Sequence, residues 1–259
     1  MAAFPQQISR TSAAAKLPHR VKPLLSTSTS FGDTVLSQVA DGGGWVTLIT
    51  IVNLRPTSNS FSLNCYGDDG NPNPFSWAGI GTSSGLNGSL AGNGSVEVST
   101  SGTSLITNQG WCYLDTIPSD TGDIAGFAIY RYAPTGQEVS VNAESELSTS
   151  LILAFDNTKG YSYGVALVNA DENTCGFMAD QGTVSIKDQT GVEFAAGTFD
   201  LPSCGHTAFM LAAQFPETAN RAGTITFTLT SGMTLSGLGL RASPTGSLTS
   251  IALLEPMSY

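Results

Sequence analysis

Charge is scarce in this chain: Asp, Glu, Lys and Arg make up 12% of its 259 residues, against about a quarter in an average soluble domain. Long apolar runs are missing as well. No stretch reaches the roughly 18 consecutive apolar residues that a membrane-spanning helix needs, so no membrane span is expected. Histidine occurs only at His19 and His206, and there is no H-E-x-x-H pair, no G-x-S-x-G elbow and no glycine-rich phosphate loop. Zinc-protease, serine-hydrolase and nucleotide-binding chemistries therefore have no motif to stand on. The four cysteines, Cys65, Cys112, Cys175 and Cys204, form no C-x-x-C and no paired Cys/His motif, which argues against zinc. Helical periodicity is also hard to find, since Gln214 to Ala219 has room for a single turn.

What is present is apolar content of 41%, enough for a packed core, together with abundant Gly, Ser, Thr and Asn. That mixture suits short strands joined by tight turns, and it fits an extracellular or cell-surface protein better than a cytosolic enzyme. In that setting the cysteines are expected as disulfides. Four of them allow three connectivities, and Cys65–Cys112 with Cys175–Cys204 keeps one bridge in each half of the chain. Four buried free thiols are the other reading. The first thirty residues contain no secretion signal, because Ala13-Ala14-Ala15 is too short for a signal core.

The two halves carry the same landmarks in the same order. Gly44-Trp45 leads into Leu48 to Asn53, as Gly160-Tyr161 leads into Gly164 to Asn169. The turn Gly67-Asp68-Asp69-Gly70 is answered by Asp188-Gln189-Thr190-Gly191. Leu90 to Ser95 is answered by Leu201 to His206, and Ile124 to Gly136 by Leu235 to Gly246, both ending in R-x-x-P-T-G. Such a series points to an internal duplication. Val46 to Val52 and Val165 to Val168 are almost continuously apolar, as in central strands covered on both faces. Ile225 to Thr230 alternates, so one face is expected to be buried and the other wet. The predicted fold class is all-β: two tandem, internally duplicated β-sandwich domains of Ig-like or Greek-key type, over residues 31–150 and 151–259, after an extended N-terminal arm over residues 1–30.

The arm holds Arg10, Lys16, Arg20 and Lys22, four of the ten basic residues, and no acid. The rest of the chain keeps six basic against twenty acidic residues. A basic arm beside an acidic body points to docking on an acidic surface, and a body of that charge repels nucleic acid. A second copy of the chain satisfies the charge argument. An extended arm can lend a strand to an open sheet edge, with Ile8, Val21, Leu24 and Leu25 as apolar anchors. A disordered tail is the plainer alternative.

Other features of the sequence offer candidate sites. Glu144 and Glu146 sit at strand spacing, as a glycosidase pair would, but an exposed acidic linker explains them more simply. Asp68, Asp69 and Asn71 gather oxygens without matching a calcium loop. Trp45, Trp77 and Trp111 are candidates for a sugar-stacking platform, with core packing favoured for Trp45. His206 stands where the first repeat has Ser95, which reads as a turn or surface residue. Asn87 and Asn93 each begin an N-x-S sequon and are candidate glycosylation sites. No catalytic, metal or cofactor residue is assigned, and the chain is expected not to be an enzyme.

The doubled aromatic-led strand, the Asp/Gly turn and the R-x-x-P-T-G closing each half resemble tandem β-sandwich domains of secreted or surface proteins from environmental bacteria. The resemblance spans residues 31–259 and implies an exported structural protein rather than an activity. The basic arm before the two domains is similar in arrangement to bacterial fibre subunits that donate a terminal strand to a neighbour. The expectation is a self-assembling subunit of an extracellular filament or surface layer, with a monomeric adhesin or carbohydrate-binding module as the alternative.

Overall fold

The structure, a computed structural model, describes residues 34–117, 123–144, 147–170, 179–230 and 232–257. The arm with Ile8, Arg10, Lys16, Arg20, Val21, Lys22, Leu24 and Leu25 lies outside the described residues, as do Cys175 and Glu146.

The first half contains β1 (Thr34–Asp41), β2 (Trp45–Asn53), β3 (Asn59–Tyr66), β4 (Phe75–Trp77), β5 (Gly81–Ser83), β6 (Gly85–Leu90), β7 (Ser95–Ser99), β8 (Asn108–Ile117), β9 (Ile124–Tyr132) and β10 (Gln137–Asn142). The second contains β11 (Ser150–Asp156), β12 (Ser162–Asn169), β13 (Ala179–Asp188), β14 (Glu193–Pro202), β15 (His206–Met210), α1 (Leu211–Gln214), β16 (Ala222–Leu229), β17 (Leu235–Ala242) and β18 (Leu248–Ile251). A 3-10 turn at Pro216–Thr218 follows α1, so the expected single turn is realised as two short ones displaced toward the N-terminus.

The fold is all-β and sandwich-like, built from antiparallel sheets. The first half pairs a sheet of order β1-β8-β3-β6 with one of order β10-β9-β2-β7, and the small β4-β5 ribbon feeds Phe75 and Trp77 into the core between them. The second half has sheets β11-β16-β13-β14 and β15-β12-β17-β18. Matched strand for strand in chain order, the two halves have the same topology once the β4-β5 ribbon is set aside. Local details agree too. Asn93 and Cys204 both take φ 55° in the turn that enters β7 or β15, and Gly94 and Gly205 donate to the carbonyls of Ala91 and Pro202. Glu144 after β10 exchanges two backbone hydrogen bonds with Val35 of β1, as Leu254 after β18 does with Ile152 of β11.

Alternation places the cores. Ile49 and Ile51 of β2 meet Leu63, Cys65, Cys112 and Leu114 across the first sandwich, while Leu153, Val165, Leu167, Ile186, Ile225 and Phe227 fill the second. The wet and dry faces of β16 fall as its alternation predicts: Ile225, Phe227 and Leu229 are buried and the threonines between them are not. The expected disulfide Cys65–Cys112 is present, joining β3 to β8. At the matching positions β13 and β16 pair Ile186 with Ile225. Cys204 is also disulfide-bonded.

One expectation fails informatively. β12 is covered on both faces, with Val165 through Asn169 all buried, but β2 is not: Val46, Leu48, Thr50 and Val52 stay half-exposed on its outer face. β12 owes its second cover to the first half, because Ala166 of β12 and Leu238 of β17 join the first half's core.

Candidate functional site at the seam

The seam begins with an irregularity in β1. Leu36 pairs with Cys112 and Val39 with Gly110, so Ser37 and Gln38 together oppose the single residue Trp111. A bulge of this kind re-aims a side chain, and here both bulged residues reach the second half. Ser37 Oγ lies 2.7 Å from Ser236 Oγ. Gln38 Oε1 lies 2.7 Å from His206 Nε2. The other ring nitrogen, Nδ1, is 2.7 Å from Asp68 Oδ1, and Gln109 Nε2 donates to Asp68 Oδ2 at 3.2 Å. Gln38, His206, Asp68 and Gln109 thus form one polar chain across the seam. His206 is 2% exposed, which corrects the reading of it as a turn or surface residue. It is the first residue of β15, and its side chain points into the other half.

An Asp–His pair could serve a general base, but a base must aim its free nitrogen at a substrate or nucleophile. His206 spends that nitrogen on the Gln38 amide. Beside the quartet, Trp111 is completely buried, stacks on Tyr66 at 5.1 Å, and donates from Nε1 to the Cys204 carbonyl at 2.7 Å. Val35, Trp111 and Tyr113 of the first half pack with Val168, Ala170 and Cys204 of the second. The Gly67–Gly70 turn completes the contact, since Gly70 has φ 78° and a β-carbon there would lie 2.2 Å from the Ser203 carbonyl oxygen. Its counterpart Gly191 has φ 83° and nothing within 4 Å. Gly191→Ala is expected to cost only the left-handed strain, roughly 1–2 kcal/mol. Gly70→Ala carries the same strain and must also displace the Ser203 backbone, so its loss in urea unfolding should be clearly the larger. Equal losses would show that the turn does not hold the seam.

Asp68 is pulled two ways. Burial raises its pKa, but hydrogen bonds from His206 and Gln109 and the attraction of the imidazole hold it below its ordinary value of 3.8. A depressed carboxylate contributes stability that is present above the unfolded pKa and lost as pH falls through the folded one. Unfolding midpoints at about pH 5 and about pH 2.5 should therefore separate more in the wild type than in Asp68→Asn. An unchanged separation would remove Asp68 from the acid response.

Among the described residues two clefts stand out at the seam. The larger, about 360 Å³, is walled by Trp45, Tyr130 and Gln109 from the first half and by Val165, Phe209 and Leu240 from the second. It is an apolar slot with amide and phenol groups at its edge, suited to a flat apolar body carrying a few hydrogen-bonding groups. The second, about 290 Å³, lies between the edge strands β10 and β18 and contains Glu144. Burial raises the Glu144 carboxyl's pKa, against the hydrogen bond it accepts from Ser236 Oγ at 3.3 Å. Glu144 is thus half-buried at the seam rather than on an exposed linker.

The remaining expected sites scatter. Trp77 and Trp111 are buried, so a platform of three tryptophans does not exist; Trp45 alone reaches a cleft, beside Tyr132 at 4.9 Å. Asp69 accepts hydrogen bonds from the Asn71 backbone and side chain, closing a local turn. Among the described residues no group of three or more His, Cys, Asp or Glu is placed to hold a metal. Asn87 and Asn93 are both exposed. No helix among the described residues is long and apolar enough to cross a membrane.

Sequence reasoning missed Gln38 and Gln109 entirely. The one signal for His206 was the Ser95/His206 mismatch between repeats, which marks a position where the halves have diverged. Compared with known families, curated proteins and solved structures, the chain matches none of them. Its class therefore rests on its own architecture: an all-β, disulfide-bonded protein of two sandwich-like halves locked by a polar and aromatic seam.

Proposed function

We propose that this chain is a non-catalytic structural subunit that self-assembles into an extracellular filament or surface layer, its basic arm (residues 1–30) docking on a neighbouring copy. The observation that carries this reading is the non-reciprocal packing of the halves. The second half offers the outer face of β12, β15 and β17, while the first offers β1, β8 and the Gly67–Gly70 turn. Two units of one topology that pack through unlike surfaces leave an unmatched surface at each end, and heterologous contacts of this kind propagate. The shared topology also supports an origin by internal duplication. Low charge and the disulfide favour an extracellular setting. The edge strands β6 and β14, each paired on one side only, give an extended arm a place to add a strand.

The test is electron microscopy and light scattering of the full chain beside one lacking residues 1–30. Ordered polymers from the full chain and none from the shortened one are expected. Monomers from both over a wide concentration range would overturn the reading. The alternative, a carbohydrate-binding module or adhesin acting as a monomer, draws on Trp45 at the mouth of the larger cleft. Retention of the shortened chain on a glycan array, lost in Trp45→Ala, would favour it.

A further inference from the structure

The outer face of β2 and β9 is the one large apolar sheet surface that the described fold leaves uncovered. Leu48 and Val52 of β2 lie on it with Phe127 and Ile129 of β9, all half-exposed, and none of them belongs to any of the three apolar clusters. Its edges carry Arg131 and Glu138. The residues on this face are fixed by register: Thr50 pairs with Phe127, and Leu48 with Ile129.

The same face in the second half is occupied. There Ala166 pairs with Leu238, and Gly164 with Leu240. Gly126 and Gly237 anchor the comparison, since a β-carbon on either would press against the facing carbonyl oxygen, that of Thr50 at 2.9 Å or of Ala166 at 3.0 Å. Phe127 and Ile129 therefore stand where Leu238 and Leu240 stand. Leu238 is buried in the first half's core and Leu240 packs against it. Inside one molecule, then, this face of this topology docks on a neighbouring unit.

The unit that would receive it has a free receiving side. In the first half the second half is received against Gly70, with the Ser203 carbonyl filling the space above it. The matching turn of the second half, Asp188 to Gly191, has that space empty, and Val192 beside it is 61% exposed. We infer that the Leu48/Val52/Phe127/Ile129 face docks on the second half of another copy, against its Asp188–Gly191 turn, repeating between molecules the contact made within one. The inference rests on the self-assembly proposed above but not on the arm. The contact between copies is weaker than the internal one. Ser95 stands in place of His206, β11 lacks the bulge that delivers Gln38, and the Trp111 position is taken by Thr224. Asn93 lies in the turn that would approach Gly191, so a glycan there opposes this packing.

Two single substitutions in the full-length chain test it. Phe127→Glu charges the docking face. Gly191→Asn fills the receiving site, and Asn tolerates the left-handed backbone there. Each should weaken self-association by at least about tenfold, measured by sedimentation, with thermal unfolding of the Asn variant close to wild type. Because each variant keeps the surface that the other has lost, mixing the two should give heterodimers and no longer polymers. Polymers from both single variants would overturn the inference while leaving arm-driven assembly standing. A wild type that stays monomeric would overturn both. Should Phe127→Glu unfold, undiminished polymers from Gly191→Asn alone would still sink the proposed contact.

Discussion

Trp111→Ala should remove about 3–5 kcal/mol of stability and split the unfolding of the protein into two transitions. The side chain is wholly buried, yet much of what it touches belongs to the other half. Truncation leaves a cavity between Tyr66 and the Cys204 turn, and the Cys204 carbonyl loses the indole donor at 2.7 Å. Small cavities inside one sandwich lower its stability as a unit, whereas a cavity at the seam also loosens the coupling of two units. Calorimetry reads the difference, because a cooperative pair unfolds in one peak and an uncoupled pair in two. Trp111→Phe keeps the ring but drops the N–H, so it should cost only about 1–3 kcal/mol. A single unshifted peak for the alanine variant would mean that the halves are held together by something other than this cluster.

Removal of the Cys65–Cys112 bridge should be comparably costly. The bridge closes a segment of sequence separation 47, and in the chain-entropy description a loop of this length confers about 4 kcal/mol by restricting the unfolded chain. For a chain of this size that corresponds to a fall of roughly 8–16 °C in Tm. Changing both cysteines to valine tests the entropic origin, since the second half places Ile186 and Ile225 at the same cross-strand positions without difficulty. If packing were the main contribution, the double valine variant would melt within about 2 °C of the wild type. A large drop despite a filled core assigns the effect to the loop. Under reducing conditions, which also open the Cys204 bridge, the wild type should fall to the level of that variant measured under the same conditions.

The strands and turns of this protein were legible along the chain because they depend on near neighbours. Alternation in Ile225 to Thr230 requires only that one sheet face be dry. Asp69-Gly70 and Pro134-Thr135-Gly136 announce turns through backbone preferences of the residues themselves, and Gly70 and Gly136 do take positive φ. The four paired landmarks placed corresponding strands in corresponding order, and the Cys65–Cys112 pairing followed from keeping each bridge in its own half. Continuous apolarity in Val46 to Val52 was read as two-sided cover. Among the described residues only one face of β2 is covered, so that expectation fails there, whereas its counterpart β12 is buried on both faces because the first half packs against it.

The seam was decided by tertiary structure alone. His206 is separated from Asp68 by 138 residues and from Gln38 by 168, and no periodicity or turn preference spans such distances. Gln38 matters because β1 carries one extra residue, a register shift visible only against β8. Trp111 sits in an apolar strand like many others until Cys204 is brought opposite it. Composition, alternation and turn chemistry were thus sufficient to determine two all-β halves of one topology. Which surfaces those halves spend on each other, and which they leave open, depends on contacts between residues far apart in sequence, and only folding creates those.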